Sequence, residues 1–442
     1  MRFLGVTETC DLGSLYMRLA ADGHEVKIFV GEEGAQGTMA GLVPRTPDWR
    51  GELGWVGRDG IILFEAVSEG YGALQDQLRG EGYQVVGGSA FGDRLENDRA
   101  YGQALLAGLG LRTAAVHPFR DSASGDAFLA ARPGRYVLKF SGPDFASSDN
   151  YVGQRPDGAD VRAVLAGRFR ARGGEPASYI LMDFVDGVEM GVGAYFDGEK
   201  FLTPACLDWE HKRFFAGDMG ELTGEMGTVA TYERSGKFFD LTLARIAPLL
   251  REHGHVGYVN LNTIVNADGI WPLEFTCRFG YPGFAILEPL QDISWAELFR
   301  AMAGRSVRSF PVRPGFSVGI VLTTPPFPYT RKQIGEPVGL PVMLDEGLGE
   351  EDLRNLHYGE VGLDGGQLVT SGLYGWTMVV TGTGATVAAA RRAAYDRAGR
   401  VFIPAVRYRL DIGDRLIAAD YDAVAALGLF SEERAGQAAA DR

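Results

Sequence analysis

The sequence predicts an α/β opening domain, an α+β central domain and a mixed α/β, mostly β terminal domain, and three observations carry that expectation. Short apolar strands alternate with helical spacing up to about residue 95, the character changes at Leu95 to a helix followed by extended runs, and a proline cluster near Pro311 opens further strand-like sequence. A length of 442 residues suits about three domains at roughly 150 residues each, and 46% apolar residues can supply a core to each. The expected bounds are 1–95, 96–310 and 311–442.

The opening reads as β-α-β: Phe3 to Val6 is a short apolar strand, Leu12 to Ala21 has helical spacing, and EVKIFV returns as a strand after Gly23. A second such unit follows, with a buried strand from Gly60 to Ala66, the helix GALQDQLRGEG and the strand YQVVGG. The loop after the first strand reads VTETCDLG, without the GxGxxG fingerprint, so dinucleotide binding is not expected there. In the central region the expected strands are YVLKF, YILMDF, MGVGAYF, KFLTPACL, GYVNLNTIV and WPLEFTC, with helices at Asp160–Arg170 and Phe238–Glu252. Beyond Pro311 one helix, Ala385 to Ala398, stands among strands, and AGQAAADR reads as a frayed tail.

Composition narrows the function. A net charge of −14 with no basic block argues against nucleic acid, whose phosphates would be repelled. No apolar run approaches the ~18 residues of a membrane span, and MRFLGVTETCDLG has no signal-peptide core, so a cytoplasmic chain is expected, as monomer or homodimer. Cys10, Cys206 and Cys277 lack CxxC spacing and read as buried thiols rather than disulfides or zinc ligands.

Two patterns carry chemistry. Asn260 and Asn262 lie at strand spacing, as do Glu274 and Thr276 beyond the NADG turn, so two adjacent strands can present four oxygen-bearing side chains on one face. A polar outer face would satisfy that pattern, and so would a hard cation such as magnesium; Arg278 further along the same face favours the second by offering a contact for an anion. The other pattern is DWEHKRFFAGDMGELTGEMG, which packs His211, Lys212, Arg213 and Asp218 among glycines. It suits either a surface loop or a cradle in which backbone and cations meet phosphate or carboxylate.

HKRFFAGDMGELTGEMG resembles the HKR-x-x-x-GD-x-G-x-x-TGGMG stretch of glycinamide ribonucleotide synthetase (phosphoribosylamine–glycine ligase), an ATP-grasp enzyme. PLEFTCRFGYP is similar to that family's EFNCRFGDP, LENDRAYGQALLAGLGLRTA to its LE-x-SK-x-F…GIPTA helix, and ILMDFVDGVEM to its EEFL-x-GEE hinge. LVTSGLYGW and YRLDIGDR resemble VTSGGRVL and YR-x-DIG, so the motifs keep the family's order from residue 95 to 415.

The resemblance implies an ATP-grasp fold with a Rossmann-like (pre-ATP-grasp) N-terminal domain, a mobile lid at roughly 112–178, and ATP with Mg2+ or Mn2+ as cofactors. Lys139 and Arg99 would touch phosphates, Met182 and Asp183 would line the adenine through backbone and apolar contact, and Glu189 would take the ribose hydroxyls. Glu274 would be the principal metal ligand, with Thr276, where the family has Asn, and Asn262 completing the set. Lys212 and Arg278 would neutralise charge on the transferred phosphoryl group, and Asp218 would bind an ammonium near the amine end. The implied reaction joins a small carboxylate, such as an amino acid, to a small amine through an acyl phosphate.

Several positions depart from the family. The phosphoribosylamine loop GNGGREHA is replaced by VTETCDLGSL, and the lid's GLAAGKGV by FSGPDFASSDNYVG, where Ser141, Ser147 and Ser148 could supply hydroxyl donors. TGGMG has become TGEMG, placing Glu225 at a glycine position, RFGDP has become RFGYP, and Tyr374 replaces an arginine. Positive charge is lost and negative charge gained around the acceptor site. The expectation is therefore an ATP-dependent ligase with a different amine acceptor; the alternatives are phosphoribosylamine–glycine ligase itself and a catalytically silent ATP-binding regulator or scaffold.

Overall fold

The computed structural model describes residues 1–65, 70–141, 145 and 149–432. Ala66, Ser147, Ser148 and the tail Ala435 to Arg442 lie outside the described residues. The N-terminal sheet is all parallel, with β1 (Arg2–Thr7), β2 (Glu25–Val30), β3 (Ile61–Phe64) and β4 (Gln84–Val86) in the order β2-β1-β3-β4. β3 reads IILF and is buried at every residue, the composition a parallel strand covered on both faces needs. The crossover helix Gly13–Ala21 stops where Gly23 takes φ +83°.

Beyond β4 the chain meets the central sheet. The Gly87 amide donates to the Val256 carbonyl at 2.9 Å, and a Cβ on Gly257 would stand 2.2 Å from the Gly87 oxygen, so only glycine lets the two backbones pass this closely. A separate antiparallel sheet follows, with β5 (Val116–Phe119), β6 (Tyr136–Phe140), β7 (Tyr151–Val152) and β8 (Tyr179–Asp183) in the order β5-β8-β6-β7. Helices Ser122–Ala131 and Ala159–Ala171 cover it, and Leu129, Leu138, Leu165 and Leu181 form a core distinct from the main one.

The main sheet collects β9 (Val188–Asp197), β10 (Cys206–Glu210), β13 (Gly227–Thr231), β14 (Val256–Asn266), β15 (Gly269–Thr276), β16 (Phe316–Thr323), β18 (Leu356–Tyr358) and β21 (Trp376–Gly384). Its order is β15-β14-β9-β10-β13-β16-β21-β18, and every pair is antiparallel. The sheet runs through residue 311, since β13 pairs β16 with Val229 opposite Val318. Three two-stranded ribbons decorate it: β11 (Arg213–Phe215) with β12 (Met219–Leu222), β17 (Met343–Leu344) with β22 (Val401–Phe402), and β19 (Val361–Asp364) with β20 (Gln367–Thr370).

Two expected elements differ. The helix expected over Phe238–Glu252 is broken at Thr242 (φ −127°, ψ −95°), and a new helix starts at Ala247 with Pro248 in its first turn, the place where a residue without an amide proton fits. The strand expected from KFLTPACL starts only at Cys206, because Pro204 has no N–H for a ladder. The helix expected from Ala385 is observed as Val387–Ala398, capped by Thr386. All three thiols are buried. No described helix is long and apolar enough to cross a membrane.

Since the β5–β8 sheet has its own core, Leu165→Ala should weaken it locally by about 2–5 kcal/mol. Hydrogen exchange should quicken across Val116–Asp183 while β9, β14 and β16 keep their protection. Uniform loss of protection in both sheets would contradict a separate core.

Candidate active site

One face of the main sheet is the floor of a cavity of about 630 Å³. In the β14–β15 ladder Asn260 lies opposite Thr276 and Asn262 opposite Glu274, so the expected four side chains do share a face, and all four line the cavity. β9 contributes Gly191 and Gly193, whose missing side chains leave room. A Cβ at Gly191 would stand 2.2 Å from Asp208 Oδ1, and one at Gly193 would stand 1.9 Å from the Tyr258 hydroxyl. Side chains of β10 and β14 therefore lie across β9.

Glu274 is the centre of the charge arrangement. It pairs with Arg99 from the Arg99–Gly108 helix, with Lys139 Nζ of β6 at 3.5 Å, and with Lys212 Nζ of the β10–β11 turn at 3.3 Å. Lys212 also reaches Glu189 of β9 and Glu210 of β10, both at 3.1 Å. Lys139, followed by Lys212 and Arg99, holds the Glu274 carboxyl well below the usual carboxylate range despite burial. Burial lowers the Lys139 ammonium, with Glu274 opposing. Lys212 is half-buried, and although desolvation opposes it, Glu210, Glu189 and Glu274 together hold its ammonium well above the ordinary value. The sequence-expected Arg99, Lys139, Lys212, Glu189 and Glu274 thus meet at one point, at the edge where the β5–β8 sheet faces the main sheet.

Around this cluster several buried polar atoms have no hydrogen-bond partner among the described residues: Asn262 Oδ1, Asp208 Oδ1, the Tyr281 hydroxyl and Trp376 Nε1. All four residues line the cavity. Buried polar groups are normally paired, so such a concentration marks a place built to receive polar ligand atoms. Asn262 donates through Nδ2 to Glu210 at 2.9 Å, which leaves its oxygen free beside Glu274. A carboxylate, an unpartnered amide oxygen and the Thr276 hydroxyl form an all-oxygen donor set that fits magnesium or manganese.

Other expected residues are placed elsewhere. Asp218, in the β11–β12 turn at φ +53°, pairs with Arg409 at 3.0 Å and Arg415 at 3.3 Å and is not among the cavity-lining residues. The β11–β12 hairpin carries it toward the Arg409 segment instead of the sheet floor. Arg278 does line the cavity, but Glu96 holds it at 3.2 Å and raises its pKa, so it faces Asp11 already paired. Met182 is buried at the end of β8, while the Asp183 amide donates to the Ala115 carbonyl at 2.9 Å and its carboxylate accepts from His117 Nε2 at 3.1 Å. Its backbone N–H is therefore already engaged within the fold.

The sequence reading missed Asp208 and Glu210, although their alternation in LDWE just before HKR places both on the floor side of β10. It also missed Glu8, Asp11 and Glu65, which line the cavity from the N-terminal domain. Their signal was faint, because Glu65 is the one acid after an apolar strand and the β1 loop lacks any known fingerprint. Glu65 accepts from the Tyr16 hydroxyl at 2.6 Å and the Leu12 amide at 3.1 Å, and burial, then Asp11, push its carboxyl up to about 8.

Comparison with known proteins gives a consistent result. A family model described as the ATP-grasp (A) domain of phosphoribosylglycinamide synthetase matches residues 97–284. A phosphoribosylamine–glycine ligase of Pseudomonas aeruginosa is 29% identical over 357 residues, covering 78% of this chain and 80% of that protein. That of Neisseria meningitidis serogroup B is 25% identical over 356 residues, covering 78% and 81%. Among solved structures, the phosphoribosylamine–glycine ligase of Thermotoga maritima superposes with a TM-score of 0.72 at 21% identity, covering 93% of this chain and 100% of that one. The biotin carboxylase domain of Hydrogenobacter thermophilus 2-oxoglutarate carboxylase, in complex with MgADP, gives a TM-score of 0.64 at 11% identity over 98% and 99% of the chains. The last two likenesses establish the fold.

Glu65 offers a stability test of the acidic lining. Between about 4.5 and about 8 the folded chain binds more protons at Glu65 than the unfolded chain does, so this group lowers stability as pH rises through that window. Glu65→Gln should remove this contribution, flattening the fall by up to about 1.4 kcal/mol per pH unit in urea titrations across the window. An unchanged slope would show that Glu65 is ionised in the folded chain.

Proposed function

We propose, on the premise that this chain is an ATP-grasp ligase resembling the phosphoribosylamine–glycine ligases, that it joins a small carboxylic acid to an amine other than phosphoribosylamine. One observation carries the acceptor reading: beyond the Glu274 cluster the cavity is lined by Glu8, Asp11, Glu65 and Glu225, and the nearest cation, Arg278, is held by Glu96. A sugar phosphate brought there would meet carboxylates and no unpaired base among the described residues.

ATP is the phosphoryl donor in this reading. Its phosphates would draw Arg99, Lys139 and Lys212 away from Glu274, exchanging one set of charge-assisted contacts for another. Glu189, at the rim beside Lys212, would accept from the ribose hydroxyls, and Met182 would give the base an apolar contact. Glu274, Asn262 and Thr276 would hold magnesium, which when bound offsets phosphate charge. The substrate carboxylate oxygen attacks the γ-phosphorus and ADP departs, leaving an acyl phosphate. The amine nitrogen, as the free base, then attacks the acyl carbon, the C–O bond to phosphate breaks, the nitrogen's proton leaves with phosphate, and an amide and inorganic phosphate are released. Neither step needs a protein nucleophile, so Lys139 and Lys212 act by aligning reactants and neutralising charge on the phosphoryl oxygens.

The relatives support a second reading, phosphoribosylamine–glycine ligase itself, since proteins of that name match about four-fifths of the chain. ADP release with glycine and phosphoribosylamine, set against a panel of acids with other amines, separates the two. The proposal predicts weak turnover with phosphoribosylamine and strong turnover with another amine; robust turnover with phosphoribosylamine establishes the second reading. Nucleotide binding without turnover on any pair would indicate a silent regulator. In every ligase reading Glu274→Ala should lower turnover at least about 100-fold while circular dichroism stays unchanged. Full activity in that variant would remove the metal role.

A further inference from the structure

Of the eight carboxylates lining the cavity, Glu8, Asp11, Glu65, Asp208 and Glu225 make no ion pair among the described residues, whereas the three lining cations, Arg99, Lys212 and Arg278, are all paired. An acid-rich wall alone defines no ligand, but two independent features accompany it here. Asp208 lines the cavity, is 6% exposed, and has an Oδ1 without a hydrogen-bond partner among the described residues. It stands close to Glu225, and burial together with Glu210 and Asp208 pushes the Glu225 carboxyl well up. The second feature is a bank of aromatic rings. Tyr281 and Trp376 have centroids 5.1 Å apart and Tyr374 and Trp376 5.5 Å apart, and all three line the same cavity.

The bank is fixed in place. Buried Glu360 accepts from the amides of Leu373 at 2.8 Å and Tyr374 at 2.9 Å, and from that of Gly375, which pins the turn carrying Tyr374 into β21. Tyr281 and Trp376 still lack partners for their hydroxyl and indole N–H. Acids without an ion-pair partner beside electron-rich ring faces form the surroundings that attract an ammonium group on an organic body: the rings take the cation by their quadrupole, and its charge favours ionisation of the carboxyls, which then accept its N–H donors.

Resting on the ligase reading and narrowing its acceptor, we propose that Tyr281, Tyr374 and Trp376 with Asp11, Asp208 and Glu225 form a subsite for an organic ammonium, an amine substrate with an apolar or aromatic body. Glu225 and Tyr374 are also positions where the chain departs from the resembling family, at a glycine and an arginine. An arginine-to-tyrosine exchange removes a positive charge and adds a ring face, and a glycine-to-glutamate exchange adds a carboxyl group. Both changes point to the same class of ligand.

The test is calorimetric, on the full chain, with 2-phenylethylamine as probe, 2-phenylethanol as its uncharged counterpart and ribose 5-phosphate as the competing chemistry. The amine should bind at least about tenfold tighter than the alcohol, and ribose 5-phosphate should bind weaker than the amine. Glu225→Gln and Asp11→Asn, which keep shape but cannot ionise in answer to a cation, should each cut the amine preference about fivefold, and Trp376→Leu should do the same. Equal affinity for amine and alcohol, tighter ribose 5-phosphate, or an unchanged preference in all three variants overturns the subsite. MgADP titrated into the same samples reads the ligase premise separately: amine preference without MgADP binding overturns that premise alone, and MgADP binding without amine preference overturns the subsite alone.

Discussion

A single carboxylate, Glu274, ties together segments far apart in sequence. The Arg99–Gly108 helix, β6 and the β10–β11 turn each send a cation to it, and it stands on β15 opposite Asn262. Removing water from ions is costly, and the arrangement holds because every charge in it has a partner. The balance is also exchangeable. A polyphosphate offers the same cations more negative charge than one carboxylate can, and a divalent ion offers Glu274 a replacement for what it gives up. The cluster also joins the β5–β8 sheet to the main sheet, because Lys139 rides on the former and Glu274 on the latter.

The remainder of the cavity follows from how little side chain β9 carries. Gly191 and Gly193 let Asp208 and Tyr258 lie across the strand, which deepens the floor and brings acids of β10 beneath the opening. The N-terminal domain closes the far side with Glu8, Asp11 and Glu65, and the terminal region adds Tyr374 and Trp376. One end of the cavity is consequently rich in paired cations and the other in rings and in acids that make no ion pair among the described residues. A reaction between an anionic donor and a basic nitrogen suits that division of charge.

Much of this was legible in the sequence where the pattern is local. The period of two puts Asn260 with Asn262 on one face of β14 and Glu274 with Thr276 on one face of β15, but the two pairs meet only through a one-residue register shift after Asn262, since the register set at the turn would place Asn262 opposite Leu273. Lys139, an isolated charge in YVLKF, could be read as a ligand-facing residue for the same reason. Asp218 was misplaced because its Gly-Asp setting looks the same in a loop over a cavity and in a hairpin tip, and only the long-range pairs with Arg409 and Arg415 decide between them. The acids from β1, β3 and β10 were overlooked for a related reason: they converge only once parallel and antiparallel sheets have packed. The break at Thr242 was foreshadowed by Pro248 but masked by an apolar period that runs through both halves.

The central claim is that the cations now gathered on Glu274 are the phosphate grip of this protein. A crystal structure with magnesium and a non-hydrolysable ATP analogue tests it most directly. The account predicts the Nζ atoms of Lys139 and Lys212 on phosphate oxygens and the metal on Glu274 and Asn262 Oδ1. Nucleotide bound elsewhere, with the three pairs to Glu274 intact, would contradict it.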